Sequence, residues 1–136
     1  MTDSFLVFPI GVIEKLNEKT HIRIYDAFID GLLGIEEFSH IHVLYWFHKN
    51  DTPENRKMLQ VHPRKDNKNP LTGVFATHSP LRPNLIALTL CKIISVQGNH
   101  IEIETIDALD GSPVIDIKAY IPIEIQNSDI RLPGWV

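Results

Sequence analysis

The sequence predicts a small all-β domain, a closed or nearly closed β-barrel with one or two short helices. Three observations carry that expectation. Short apolar or alternating runs recur along the 136 residues and are separated by Gly, Pro, Asn and Asp. The connections between them are brief, and many short strands joined by turns favour a barrel over a βαβ fold. No glycine-rich strand–turn–helix unit occurs, so a nucleotide-like ligand would not be held by a Rossmann-type phosphate loop.

Each element follows from local pattern. Phe5 to Ile13 reads as a first strand, with Pro9 favouring an edge or bulge. His21-Ile-Arg-Ile-Tyr25 alternates polar and apolar residues, as a half-buried strand does. Asp26 to Leu33 reads as a short helix, with Asp26 as N-cap and Gly34 as its stop. His40 to Phe47 is rich in β-branched and aromatic residues and reads as a central strand. Met58–His62, Gly73–Thr77, Leu85–Val96, His100–Thr105 and Val114–Ala119 follow as strands, and Gln97-Gly-Asn-His100 turns one hairpin. Asn50–Asn55 and Arg64–Leu71 read as loops.

Composition bounds the function. The chain reads as one domain over residues 1–136, long enough to bury a core, and 43% of it is hydrophobic. It has no run of 18 apolar residues, and Met1-Thr-Asp-Ser4 lacks the basic segment of a signal peptide. The single cysteine, Cys91, lies in an apolar run and reads as a buried thiol. A cytoplasmic protein is the simplest expectation. A net charge of −4 argues against non-specific coating of nucleic acid. Residues 56–68 run the other way, with Arg56, Lys57, Arg64, Lys65 and Lys68 against Asp66 alone. That stretch is either a solvated loop or a lip that contacts phosphates.

Two stretches join a β-rich run to a rigid polar turn: Gly73-Val-Phe-Ala-Thr-His-Ser-Pro-Leu-Arg-Pro-Asn84 and Leu109-Asp-Gly-Ser-Pro-Val-Ile-Asp-Ile-Lys-Ala-Tyr-Ile-Pro122. Pro fixes φ and Gly permits φ > 0, so such turns can leave backbone N–H groups free for a ligand. Both resemble signatures of the TsaA-like (TrmO) family, GVFATRSPxRPNPIGLS and LDGTPVLDIKPYxP. Gly34-Ile-Glu-Glu-Phe-Ser-His-Ile-His-Val-Leu-Tyr-Trp-Phe-His48 is a third match, and together they run from about Ile10 to Pro122.

The resemblance implies a barrel of six or seven strands, a homodimer, and S-adenosylmethionine as cofactor near the subunit interface. It also implies N6-methylation of threonylcarbamoyladenosine beside the tRNA anticodon. Carried over by position, it makes His48, Lys49, His78, Leu88 and the turn Leu109, Asp110, Gly111 and Ser112 candidates for cofactor binding. Asp110 is the foremost of these; the plainer alternative is a tight Asp-Gly turn before a strand. Arg82 would bind substrate or brace its own loop through backbone carbonyls. Arg64, Lys65 and Lys68 would dock the tRNA. Asp116, Lys118 and Tyr120 alternate along one strand and so share a face. They either line a site, with Asp116 or Tyr120 accepting a proton and Lys118 steadying an anion, or form a solvent-facing stripe. His40 and His42 have ligand spacing but no Cys pair or His-Glu motif to complete a metal site, so no metal is expected.

The sequence departs from the family pattern at several places. His78 stands where the family has Arg, which exchanges a planar fork for a titratable ring. Leu85 and Ala87 replace Pro and Gly. The segment Leu16–His21 lacks the family's Arg-Gln-Pro, and no further C-terminal domain is expected after Pro122. These departures, with the acidic net charge, keep two alternatives in view: methylation of a small molecule, and a non-catalytic module that binds a nucleotide-like ligand or a metal.

Overall fold

The computed structural model describes residues 3–136. Met1 and Thr2, part of the N-terminal reading above, lie outside the described residues. Six strands close an antiparallel barrel: β1 (Gly11–Leu16), β2 (Lys19–Ile24), β3 (His40–Trp46), β6 (Ile86–Gln97), β7 (His100–Ile103) and β8 (Pro113–Ala119), in the order β1-β2-β7-β6-β3-β8. β4 (Gln60–Val61) and β5 (Thr72–Gly73) form a separate two-stranded ribbon. Among the described residues no helix is long and apolar enough to cross a membrane.

The period-two pattern fills the barrel. Along β3, Ile41, Val43 and Tyr45 point inward and are buried, while His42, Leu44 and Trp46 lie on the outer face. Ile13, Ile22, Ile24, Ile101, Ile103 and Val114 complete the core. Removing one of these side chains, as in Ile22→Ala, is expected to cost about 2–5 kcal/mol through lost transfer energy and a cavity. Gly11 is required where β1 meets β2, since a Cβ there would stand 2.5 Å from the Arg23 carbonyl oxygen.

Turn chemistry sets the registers. Asn17 and Glu18, with φ of 55° and 64°, make a two-residue hairpin that pairs Leu16 with Lys19. This is the left-handed turn whose twist matches the flanking strands. Gly98 (φ 61°) turns β6 into β7, as the sequence predicts. In β8 the register with β3 slips between Leu44 and Tyr45, leaving Ile115 as an extra residue. That bulge lets Val114 face the core and still puts Ile117 there too.

Four expectations are corrected. The first strand begins at Gly11 rather than Phe5, because Pro9 withholds a donor and residues 3–9 leave the sheet. Asp26–Leu32 is a 3₁₀ segment whose N-cap is Tyr25 with no side-chain cap bond, so Asp26 does not cap it. Of the expected strands at 58–62 and 73–77 only Gln60–Val61 and Gly73 pair, Gly73 together with Thr72 just before it, and Val74–Ala76 is a 3₁₀ turn. Pro53–Arg56 is a single helical turn inside the expected loop, capped by the Thr52 hydroxyl accepting from Asn55 N–H.

Candidate functional site

β7 pairs with β6 only over residues 93–97, and β3 pairs with β6 over residues 86–92. Where β7 has ended, residues 104–112 cross the barrel end instead. A cleft of about 880 Å³ opens there, within the range of cofactor pockets. Three segments that the motifs occupy converge on it: His48–Asn50 after β3, His78–Arg82 before β6, and Leu109–Ser112 before β8. Its floor carries Tyr45, Ala87 and Ala108 from the core, and its apolar rim carries Ile86, Leu88 and Leu109. Its permanent charges are Lys15, Lys49, Lys65 and Arg82 against Asp107, so it favours ligands bearing a carboxylate or phosphate.

Tyr45 joins the core to this cleft. Its hydroxyl donates to the Asp107 carbonyl at 2.9 Å and lies 3.1 Å from Thr89 Oγ1. Burial pushes its pKa up, so the phenol stays protonated and holds the crossing segment in place.

The His48–Lys49 turn is held by a clamp behind it. Trp46 Nε1–H donates to Asp51 Oδ2 at 3.0 Å, and Arg56 Nε–H donates to Asp51 Oδ1 at 2.8 Å. The Arg56 guanidinium also stacks over the Trp46 ring, 5.1 Å from its centroid. Asn55 Nδ2 donates to the Asn50 carbonyl, which closes the loop from inside. The hydrogen bonds from Arg56 and then Trp46 hold the Asp51 pKa below its ordinary value. Arg56 belongs to the basic stretch at 56–68, which the sequence reads as either a solvated loop or a phosphate-contacting lip; its guanidinium is spent on Asp51 and Trp46.

The Asp110 turn is equally tied. Lys15 N–H donates to Asp110 Oδ1 at 2.8 Å, and Gly111 (φ 83°) N–H donates to the Ile13 carbonyl. Ser112 is buried, with its hydroxyl on the Leu109 carbonyl at 2.7 Å and its N–H on the same residue. The N–H groups of Gly111 and Ser112 are thus taken within the fold and not left for a ligand, contrary to expectation. Leu109 and Ser112 line the cleft; Asp110 and Gly111 shape the turn beside it.

Arg82 does what the plainer reading expected and also lines the cleft. Its Nη1 donates to the carbonyls of Thr77 and Ser79, at 3.2 and 3.1 Å, and so fixes the loop that carries His78.

The basic stretch becomes a knuckle displayed by the β4–β5 ribbon. Pro63 is buried, Asn69 Nδ2 donates to its carbonyl, and His62 Nδ1 donates to the Asn69 carbonyl. Arg64 and Lys65 occupy left-handed backbone at φ 60° and 55°, a conformation side chains rarely adopt. Both side chains are exposed, as is Lys68; Lys65 reaches the cleft wall, while Arg64 and Lys68 do not line it.

The structure does not bring Asp116, Lys118 and Tyr120 to the cleft. They share a face, as expected, but it is the barrel's outer face, beside Leu44 and His42. Lys118 and Asp116 pair there at 3.6 Å, both substantially exposed. His40 and His42 flank the Tyr120 ring on the same face, and His42 Nδ1 is buried with no hydrogen-bond partner among the described residues. Among the described residues no three His, Cys, Asp or Glu side chains are grouped to hold a metal. Sequence reasoning missed Lys15, Tyr45, Trp46, Asp51 and Asp107; Tyr45 and Trp46 had a signal, their place in the third motif block, and Tyr45 also its inward position in the β3 alternation.

Known proteins match this architecture. The profile of the tRNA-methyltransferase O N-terminal domain matches residues 8–124. A probable S-adenosyl-L-methionine-binding protein of Methanocaldococcus jannaschii is 52% identical over 112 residues, 82% of this chain and 89% of that protein. The tRNA (adenine(37)-N6)-methyltransferase of Homo sapiens is 44% identical over 99 residues, 73% of this chain but 22% of that enzyme. The crystal structure of TrmO from Pseudomonas aeruginosa superposes with a TM-score of 0.74 at 26% identity, over 99% of this chain and 63% of that one. With the barrel, the three converging motifs and the profile match in agreement, the chain belongs to the tRNA-methyltransferase O N-terminal domain family.

Proposed function

We propose that this chain binds S-adenosylmethionine in the cleft and methylates N6 of a tRNA adenosine beside the anticodon, with the threonylcarbamoyl-modified base as acceptor. The observation that carries this reading is the convergence of His48–Lys49, His78–Arg82 and Leu109–Ser112 on one cation-rich cleft with an apolar rim. The residues fit the cofactor. Lys49 and Lys65 suit its carboxylate, and Leu88, Leu109 and Ile86 suit its adenine and thioether. When bound, it supplies an electrophilic methyl on a sulfonium.

The protein's part is alignment and proton management. The clamped His48–Lys49 turn and the Arg82-braced His78 loop hold cofactor and acceptor in line, which is where most of the acceleration of such a transfer originates. In such a transfer a C–N bond would form at N6 as the donor's C–S bond broke, and N6 would give up its proton. His48 and His78 are the imidazoles the cleft offers as acceptor. The outward Asp116, Lys118 and Tyr120 serve only if a second copy brings them near a cleft. Arg64 and Lys68 would hold the RNA backbone outside it. Names of relatives support cofactor and base: S-adenosyl-L-methionine binding in the archaeal proteins, adenine-37 N6 in the mammalian enzymes.

The working unit in this reading is a homodimer. A folded monomer of this length exposes about 7,200 Å², whereas this chain exposes 10070 Å². Leu88, on the cleft rim, is among the exposed apolar side chains. The net charge of −4 and His78 favour a second reading, a small-molecule acceptor in the same cleft.

Calorimetric titration with S-adenosylmethionine, and with S-adenosylhomocysteine as control, comes first. Binding of both is expected, followed by methyl incorporation into tRNA that carries the modified adenosine. Folded protein that binds neither would overturn the reading. Binding without tRNA methylation would move it to the small-molecule acceptor.

A further inference from the structure

The cleft holds more positive charge than the methyl donor can use. Lys15, Lys49, Lys65 and Arg82 line it against Asp107 alone. S-adenosylmethionine brings a single carboxylate, beside an ammonium and a sulfonium that want no cation near them. Arg82 is bound to the carbonyls of Thr77 and Ser79. Lys49 stands on the turn after β3 and Lys65 on the knuckle, and either could meet the donor's carboxylate. Lys15 is left over, and it is held differently.

Lys15 comes from a barrel strand, β1, whereas the other three cations come from connecting segments. Its own N–H donates to Asp110 Oδ1 at 2.8 Å, and its Nζ donates to the Ile106 carbonyl at 3.1 Å in a partly buried place. Tyr45 holds the next carbonyl, that of Asp107. Consecutive carbonyls of the crossing segment are thus gripped from β1 and from β3, which fixes the ammonium beside the floor of the cleft. An ammonium has further N–H donors than the one Ile106 takes. Among the described residues no ion pair includes Lys15.

Its place separates it from Lys49. β8 lies between β1 and β3 in the barrel. Two strand spacings, about 10 Å, therefore divide the strand that bears Lys15 from the strand that leads to Lys49. With its head anchored on Ile106, Lys15 makes a second cationic pole, and the donor has one carboxylate for the two. An unmodified adenine brings no anion to fill the other. A threonylcarbamoyl adenine does, because a carboxylate ends the short ureido arm on its N6.

We propose that the Lys15 ammonium binds the carboxylate of the threonylcarbamoyl group, so that the cleft selects the modified adenine and places its N6 by the end of that arm. This rests on the acceptor in the reading above and names the residue that recognises it. An ammonium anchored on a strand before the ligand arrives has little freedom left to lose. A site built to pair a polar group of its substrate rejects an analogue that lacks the group, because its own partner is then stranded.

Synthetic anticodon stem–loops carrying threonylcarbamoyladenosine, with the carboxylate free or capped as the methylamide, are the two acceptors. kcat/KM is measured on both for wild type, Lys15→Gln and Lys15→Arg, and S-adenosylmethionine affinity is measured by calorimetry. Gln keeps an N–H donor and loses the charge; Arg keeps the charge. Wild type is expected to prefer the free carboxylate by about tenfold or more. Lys15→Gln should show no preference, Lys15→Arg should restore most of it, and donor affinity should be unchanged in both. Each preference is a ratio within one protein, so a variant that folds only in part still reports it. A wild type without preference, or a preference that survives in Lys15→Gln, overturns the assignment; an equal loss on both stem–loops would then give Lys15 to an RNA phosphate. A donor affinity that falls with the acceptor rate overturns it too, in favour of the donor's own carboxylate. Wild type that binds the donor and methylates neither stem–loop overturns the acceptor reading itself, and this assignment with it.

Discussion

Two basic segments on either side of the cleft look alike in the sequence and do opposite things in the fold. In the turn after β3, Arg56 donates to Asp51 and stacks on Trp46, so its charge is consumed in holding His48 and Lys49. In the knuckle at 63–68, Arg64 and Lys65 follow buried Pro63 in left-handed backbone and their side chains are exposed, Lys65 at the cleft wall and Arg64 outside it. A cation matched to a carboxylate and an aromatic face organises its own chain. A cation held out by a strained turn is available to something else. In the proposed function the difference separates the turn that would position the methyl donor from the knuckle that would meet a polyanion.

The largest expected effect comes from releasing the clamp. Asp51→Ala frees both Arg56 and Trp46, and methyl transfer should fall about 100-fold, the scale of a displaced catalytic group. Thermal unfolding should shift little, since Asp51 is exposed. Arg56→Lys keeps the charge and loses the fork, and should behave like Arg56→Ala if geometry is what matters. Equal rates for Arg56→Lys and wild type would collapse the distinction between the two segments. The clamp also has a pH signature. The Asp51 pKa is lowered in the folded state from an ordinary 3.8, so its contribution is complete above that value. It is lost only as pH falls through the lower folded value. Donor affinity should therefore hold constant from neutral pH down to about 4 as far as Asp51 is concerned.

Emptying the knuckle should act through salt instead of through the methyl donor. Arg64→Ala/Lys68→Ala removes two exposed cations outside the cleft. The slope of log K for tRNA against log salt should become shallower by about 1.5–2, with S-adenosylmethionine affinity unchanged. A changed donor affinity with an unchanged salt slope would reverse the assignment of the two segments.

How much of this was legible in the sequence follows the same divide. Strands β2, β3 and β7 were readable because each obeys a single local rule, inward apolar residues at every second position, and β6 and β8 keep that rule on either side of one bulge each. Family membership was readable because the three motifs occur in order. The cleft was readable where motif residues line it, as His48, Lys49, His78, Leu88, Leu109 and Ser112 do. What could not be read was the use of each polar group. Nothing local distinguishes Arg56 from Arg64, because the difference lies in whether a carboxylate five residues away folds back onto it. Gly111 and Ser112 looked like donors for a ligand because their acceptor, the Ile13 carbonyl, and the closing Leu109 carbonyl are known only once β1 and β8 are neighbours. Asp116, Lys118 and Tyr120 were placed correctly on one face, but a strand's alternation does not say which face looks at the cleft.

The smallest expected effect tests whether the clamp needs its helical turn. Thr52 caps Pro53–Arg56 by accepting from Asn55 N–H at 3.1 Å, and that turn is what sets Arg56 opposite Asp51. Thr52→Ala should destabilise the turn by about 1 kcal/mol, while Thr52→Ser keeps the acceptor and should be silent. The measurement is donor affinity beside thermal unfolding. Because the Arg56–Asp51 fork and the Asn55–Asn50 bond remain, affinity should drop only a few-fold. A loss as deep as that of Asp51→Ala would mean that the turn, and not the carboxylate, carries the clamp. His48 and Lys49 would then be held by backbone geometry, as the knuckle is, and the contrast between a spent and an exposed cation would no longer explain how the two segments differ.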